Sequence, residues 1–397
     1  VEKTSLPYFS DGESRTTMTT DAALFASLSY DPLYRVASTV DAVGTTINVY
    51  DDWKVTTTDA SGKTKSLYKD AFDRLVQVDE NNNSETYVTE YEYNGRGDLV
   101  KITDALDNER EFSYDGLGRR LEAEDLHASK DNTFGVWNYS YDDAGNLTSR
   151  TDANGQVVNY VYDSLNRVVT ETPVGVSGGV TYIYDICRKG VGRVCNVNNG
   201  TVAQTNEYNV LGQMTQEAKI IGGQTFVTGY TYDRQGNVLS LINPDNSEVK
   251  YAYNIAGQLE SVQSKESGAS SFGNVVTNMD YAPTGALTST QYANGAITSN
   301  TYDAAQVYRL SQKTTTLPLP GGGTKTVQNL AYTYDPTGNI TRIADTSELN
   351  TAKVVDYGYD DLHRLISAQT VPGPNDPQEP VGDGSESDNQ TYSYDAI

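Results

Sequence analysis

The sequence predicts an all-β chain. It reads as an array of about sixteen antiparallel β-hairpin repeats, each about 24 residues long, forming one long twisted sheet that curls on itself. Three observations lead there. Tyrosine pairs spaced two apart recur along the 397 residues, each pair runs into Asp or Asn and then a nearby Gly, and apolar residues never recur at helical spacing.

Each element follows from short-range chemistry. Tyr at i and i+2 places both rings on one face of an extended strand, because strand side chains alternate. The pairs are Tyr91 and Tyr93, Tyr139 and Tyr141, Tyr160 and Tyr162, Tyr182 and Tyr184, Tyr230 and Tyr232, Tyr251 and Tyr253, Tyr332 and Tyr334, Tyr357 and Tyr359, and Tyr392 and Tyr394. Degenerate copies centre on Tyr30, Tyr50, Tyr68, Tyr114, Tyr208, Tyr281 and Tyr302. The Asp or Asn that follows caps its own backbone and Gly takes positive φ, so the strand turns. The chain then re-extends, as in Leu147–Thr151 and Ile340–Ile343, and turns again at Asp152-Ala153-Asn154-Gly155 or Asn294-Gly295. Strand, turn, strand, turn is a hairpin unit, and a lone hairpin is marginal in water. Pairing edge to edge lets the tyrosine faces form a continuous ladder.

Composition agrees. With 37% hydrophobic residues and a net charge of −24 the chain would tend to disorder. Thirty tyrosines supply large apolar area with a hydroxyl that can stay hydrogen-bonded. The array is read as one domain over 1–397, with a loop at 317–323 and a flexible Pro/Gly/acidic loop at 371–389. The acidic balance disfavours nucleic acid and anionic membrane surfaces as partners, and no run is apolar enough to insert in a membrane. The start, Val1-Glu2-Lys3-Thr4, lacks the features of a signal peptide, and the abrupt ends read as those of a segment of a longer chain.

The unit Tyr114-Asp115-Gly116-Leu117-Gly118-Arg119-Arg120-Leu121 recurs as Tyr162-Asp163-Ser164-Leu165-Asn166-Arg167-Val168, Tyr30-Asp31-Pro32-Leu33-Tyr34-Arg35-Val36 and Tyr359-Asp360-Asp361-Leu362-His363-Arg364-Leu365. A variant begins at Tyr141-Asp142-Asp143-Ala144-Gly145-Asn146-Leu147 and returns at 232–238 and 334–340. This pattern resembles the signature of the RHS (rearrangement hotspot), or YD-repeat, family over nearly the whole chain. The resemblance implies that the array of hairpin (YD) repeats spirals into a hollow shell or part of one, as in bacterial toxin-complex subunits, polymorphic toxins, wall-associated proteins and teneurins. It implies a non-enzymatic, secreted or cell-surface segment that encloses a polypeptide effector or serves as a scaffold. The alternative is a carbohydrate-binding adhesin whose exposed Tyr and Asp/Asn meet cell-surface glycans. The family's C-terminal core motif is absent; Tyr334-Asp335-Pro336-Thr337-Gly338 sits in an ordinary repeat, so no self-cleavage site is assigned.

Candidate chemistry is sparse, and no cofactor is called for. Cys187 and Cys195 flank an enlarged repeat turn that looks like the Cys-containing units of some family members; a disulfide is the preferred reading and two free thiols the other. His127 and His363 are the only histidines, with His363 in the Gly position of a turn, and both read as surface or turn residues. Gly175-Val176-Ser177-Gly178-Gly179 has the spacing of a nucleophile elbow without the strand-to-helix context. The turn aspartates read as caps, and the arginines that follow (Arg35, Arg74, Arg119, Arg167, Arg193, Arg309, Arg364) as their partners or as cations over neighbouring rings. Asp79, Asn81, Asn83 and Glu90 reproduce the oxygen spacing of a calcium loop, but Ser84 stands where that loop needs Gly and no helices flank it, and a solvated Asn-rich hairpin tip is the better reading.

Overall fold

A computed structural model describes residues 2–5, 25–128, 133–176, 178–347, 353–372 and 389–394. Every described pairing joins antiparallel strands, and the only helical element among the described residues is a three-residue 3-10 turn, Ala304–Gln306. The all-β hairpin array expected from the tyrosine spacing is therefore what forms. The chain divides into two compact units. One comprises Val1–Glu90 and Val276–Ile397, the other Tyr91–Val275.

The hairpins share one construction. In the pair Val157–Tyr162 and Val168–Pro173, Tyr160 lies opposite Glu171 and Val161 opposite Thr170, and the register then slips by one so that Tyr162 meets Val168. The same slip falls at the second Tyr in Val136–Tyr141, Gln224–Tyr232, Glu248–Tyr253, Thr324–Tyr334 and Lys353–Tyr359. It marks a type I turn closed by a bulge whose fourth residue is left-handed. Gly145 and Gly338 take that position at φ 90° and 106°, where a side chain costs energy.

The turn aspartate organises this geometry. The Asp163 carboxylate accepts the N–H groups of Leu165 at 2.9 Å and Arg167 at 3.0 Å, and its second oxygen accepts the Arg167 Nε–H at 2.8 Å. Asp31, Asp70, Asp115 and Asp360 do the same with Arg35, Arg74, Arg119 and Arg364. In the variant units Asn replaces Arg: Asn146, Asn237 and Asn339 donate to Asp142, Asp233 and Asp335. One sequence rule, Asp at the first turn position and a donor four residues on, thus builds both classes.

Successive hairpins are then stitched by the second tyrosine. Its hydroxyl donates to the backbone carbonyl of the aliphatic residue that restarts the previous hairpin. Tyr162 reaches Leu147 at 2.9 Å, Tyr184 reaches Val168 at 2.9 Å, Tyr208 reaches Val194 at 2.7 Å, Tyr232 reaches Met214 at 2.7 Å and Tyr253 reaches Val238 at 2.9 Å. In the first unit Tyr50, Tyr302, Tyr334, Tyr359 and Tyr394 make the equivalent bond to Val36, Leu287, Leu310, Ile340 and Leu365. Burial pushes the hydroxyls of Tyr162, Tyr232, Tyr253, Tyr302, Tyr334 and Tyr359 above their ordinary pKa, so they remain donors at neutral pH.

The core is thin. Among the described residues only Val78, Ala123, Cys195, Ala296 and Val354 are buried hydrophobics, and no large side chain is fully buried. Cohesion therefore rests on ladder hydrogen bonds, half-buried rings and the tyrosine stitches rather than on a globular interior. The segment 317–323 is shorter as a loop than expected. Leu317 and Pro318 finish the strand Arg309–Pro318, and Leu319–Gly323 form the turn into Thr324–Tyr334. Of the stretch 371–389, residues 373–388 lie outside the described residues.

Two predictions follow from this construction. Tyr232→Phe removes one stitch and should lower stability by about 1 kcal/mol, seen as an earlier denaturation midpoint. Tyr34→Phe, at an 89% exposed turn residue, should stay within about 0.5 kcal/mol of the parent. The second concerns acid. The Arg167 side chain, followed by its backbone N–H, holds the Asp163 carboxyl below its ordinary value of 3.8. A depressed folded-state pKa contributes stability above the unfolded value and loses it as pH falls through the folded one. The stability difference between the parent and Asp163→Asn should therefore be constant from neutral pH to about pH 5 and shrink below about pH 4. A difference that grows in acid contradicts the account.

Candidate functional site

The tyrosine face is the first candidate surface. All sixteen repeat tyrosines from Tyr91 to Tyr359 named above are half-buried, while the alternate strand positions, such as Asn159 and Val161, are exposed. The rings are thus partly wedged between hairpins, and the second member of most pairs has its hydroxyl committed to a neighbouring carbonyl. Sugar stacking needs an open ring face, and this arrangement provides little of it. Tyr182 differs in donating to the Glu171 carboxylate at 3.2 Å.

The repeat arginines extend each turn to the next hairpin. The Arg35 guanidinium lies 4.0 Å from the Tyr50 ring centroid, Arg167 4.3 Å from Tyr184 and Arg119 5.0 Å from Tyr141. Arg119 also donates to the Asp142 carbonyl at 2.8 Å, and Arg309 to the Asp335 carbonyl at 2.7 Å. Arg167 pairs with Asp185 as well as Asp163, and those two carboxylates hold it protonated. These side chains are occupied within the array, which leaves them structural.

Cys187 and Cys195 are joined in a disulfide with Cα atoms 5.3 Å apart. The turn is built tightly around it. A Cβ on Gly190 would lie 2.2 Å from Cys187 Sγ and 2.5 Å from Cys195 Sγ, so only glycine fits there. Asp185, at φ 72°, accepts the Gly192 N–H at 2.6 Å and closes the enlarged loop.

The calcium spacing does not form a calcium loop. Asp79 and Asn81 lie in the strand Leu75–Asn82, Asn83 occupies the turn at φ 57°, and Glu90 lies in Glu85–Tyr93 opposite Gln77. A hairpin spreads those oxygens along two strands instead of converging them. They also have protein partners. Asp79 accepts the Tyr68 hydroxyl and the Gln77 amide, both at 2.6 Å, and Asn81 accepts the Thr86 hydroxyl at 2.8 Å. Among the described residues no group of three or more His, Cys, Asp or Glu side chains is arranged to hold a metal ion. Ser177 of the elbow-like spacing lies outside the described residues, and His127 stacks on Phe134 at 3.7 Å beside its contact with the Asp125 carbonyl.

His363 is where sequence reasoning fell short. It does occupy the glycine position of its turn, at φ 61°, but its ring joins residues from distant parts of the first unit. Nε2 lies 2.7 Å from Asp59 Oδ2, and Nδ1 lies 2.9 Å from Asn339 Nδ2. Around it, Lys63 pairs with Asp361, the Asn83 N–H donates to Asp361 at 2.9 Å, and the Asp361 N–H donates to Asn82 at 3.2 Å. Asn82 and Asp360 are buried here, and Arg364 reaches over the Tyr87 ring at 5.9 Å. The one sequence signal was a histidine in a position the other units fill mostly with glycine, and its partners could not be read from it.

Comparison with known proteins agrees with this construction. A model of the RHS repeat matches residues 93–125 and 141–176. Toxin subunit YenC2 of Yersinia entomophaga is 29% identical over 156 residues, 38% of this chain and 16% of that protein. Toxin subunit YenC1 of the same organism is 29% identical over 172 residues, 41% of this chain and 17% of its own length. The chain thus spans under a fifth of these relatives. The crystal structure of TcdB2-TccC3 superposes with a TM-score of 0.80 at 18% identity, covering 95% of this chain and 22% of the other. A Photorhabdus luminescens Tc holotoxin pore gives a TM-score of 0.77 at 17% identity over 87% of this chain and 19% of its own. Residues 93–125 and 141–176 match the RHS repeat, and the stitched Tyr-Asp hairpins and toxin-subunit relatives support an RHS, or YD-repeat, family member.

Proposed function

We propose that the chain is a wall segment of an RHS shell in a secreted toxin complex, and that it acts by enclosing a polypeptide rather than by catalysis. The observation that carries this reading is the likeness to TcdB2-TccC3, a TM-score of 0.80 over 95% of the chain. The local construction suits such a wall. Strand pairing and tyrosine stitches leave backbone polar groups satisfied along each run of hairpins, so a continuous barrier is made from a thin layer without a deep core. The titratable residues fit the same view, because the turn aspartates and repeat arginines are committed to one another.

The disulfide between Cys187 and Cys195 supports a place outside the reducing cytoplasm. Among the described residues no helix is long and apolar enough to cross a membrane. The net charge of −24 favours a basic or neutral enclosed chain over an acidic one.

Protease protection tests the reading on the complete protein that carries this segment. An enclosed polypeptide should resist a broad-specificity protease in buffer and be cut once the wall is unfolded in urea. Cleavage in buffer at the rate of the same polypeptide made alone contradicts enclosure, and glycan binding without protection moves the assignment to recognition at a surface.

A further inference from the structure

We infer that the first unit contains a releasable clasp, in which the turns at 59–63 and 82–83 hold the turns at 335–339 and 360–364, with His363 as its pin. The two sides are about three hundred residues apart in the chain, and six hydrogen-bonded contacts among the described residues span separations from 276 to 304. This inference concerns the first unit alone and does not depend on what the array encloses.

The contact differs in kind from the rest of the array. Neighbouring hairpins are joined by ladders of backbone hydrogen bonds, as where Arg309–Pro318 pairs with Thr324–Tyr334 over seven positions. Among the described residues no strand pairing or backbone-to-backbone bond joins 59–83 to 335–364. A side chain takes part in every link. Lys63 pairs with Asp361, His363 with Asp59, the Ser61 hydroxyl donates to Thr337 at 3.4 Å, and Asn82 donates to Asp360 at 3.5 Å. The two sides also exchange single backbone donors: the Asn83 N–H reaches Asp361, and the Asp361 N–H reaches Asn82. Partly exposed charged links weaken as salt screens them, which ladder bonds do not. Opening therefore starts here, below the cost of disturbing the ladders.

The pin bears a backbone cost that glycine would avoid, and its side chain makes contacts that glycine could not. Left-handed φ disfavours histidine; equivalent turns use Gly118, Gly145 and Gly338, while others carry Tyr34, Asp73 and Asn166 there. Asn339, itself fixed by Asp335 and Thr337, presents its amide to Nδ1, which leaves Nε2 to face Asp59. The Asp59 carboxylate is doubly engaged, since its other oxygen caps its own turn through the N–H groups of Ser61 and Lys63.

His363→Gly separates the two roles, because it relieves the turn while removing the pin. Hydrogen exchange of the full chain should show the Asn83 and Asp361 amides exchanging about ten-fold faster in this variant, with the ladder amides of Val157–Tyr162 unchanged. Raising the salt should speed the same two amides in the parent. In an otherwise unaltered chain, a Ser61→Cys/Thr337→Cys crosslink verified by peptide mass should slow them about ten-fold. Unchanged exchange at Asn83 and Asp361 with the crosslink overturns the clasp, whatever His363→Gly does. Equal acceleration of clasp and ladder amides in His363→Gly, in a sample that remains folded, overturns His363 as the pin.

Discussion

The hydrogen bond from a repeat tyrosine to the carbonyl of the preceding hairpin is the interaction on which the rest depends. A single hairpin cannot bury enough surface to persist alone. The ring supplies half-buried area against the neighbouring unit, and the hydroxyl satisfies a carbonyl where the bulge interrupts the ladder. Because the donor and acceptor sit in consecutive hairpins, each unit needs only its neighbour. A chain of net charge −24 with few fully buried side chains can be ordered on those terms, although a globular core of that composition would be poor.

The turn and the stitch are coupled. The aspartate fixes a tight turn, the left-handed fourth position creates the bulge, and the bulge shifts the register so that the second tyrosine meets the aliphatic residue across the hairpin. The arginine that completes the aspartate cage then lies over the next hairpin's tyrosine. Short repeats of this kind tolerate exchange of Arg for Asn, because either donor fills the second carboxylate oxygen. Such a module extends indefinitely without a new solution at each step, which is the property a wall requires.

Much of this was legible from residue spacing. Tyrosines at i and i+2 fixed the strand faces, and Asp followed by Gly or Asn fixed the turns, because both depend on neighbours within six residues. The tyrosine hydroxyl's partner was not legible, since no pattern marks a carbonyl as an acceptor. The weak calcium spacing of Asp79, Asn81, Asn83 and Glu90 carries no site for a related reason: oxygen spacing along a sequence converges only if the backbone coils, and here it runs straight through a hairpin. His363 was read as an ordinary turn residue because its role depends on Asp59, 304 positions away. Distance along the chain, rather than chemistry, marks the limit of the reading.

The central claim is that tyrosine hydroxyls, acting between neighbours, make the hairpins one cooperative array. The most direct measurement is denaturant unfolding of a variant in which Tyr162, Tyr184, Tyr208, Tyr232 and Tyr253 are all changed to Phe, followed by hydrogen exchange. The account predicts a large loss of midpoint and the breakup of one transition into several, with individual hairpins exchanging independently. A single transition of undiminished steepness, shifted no further than an exposed-residue control, would contradict it.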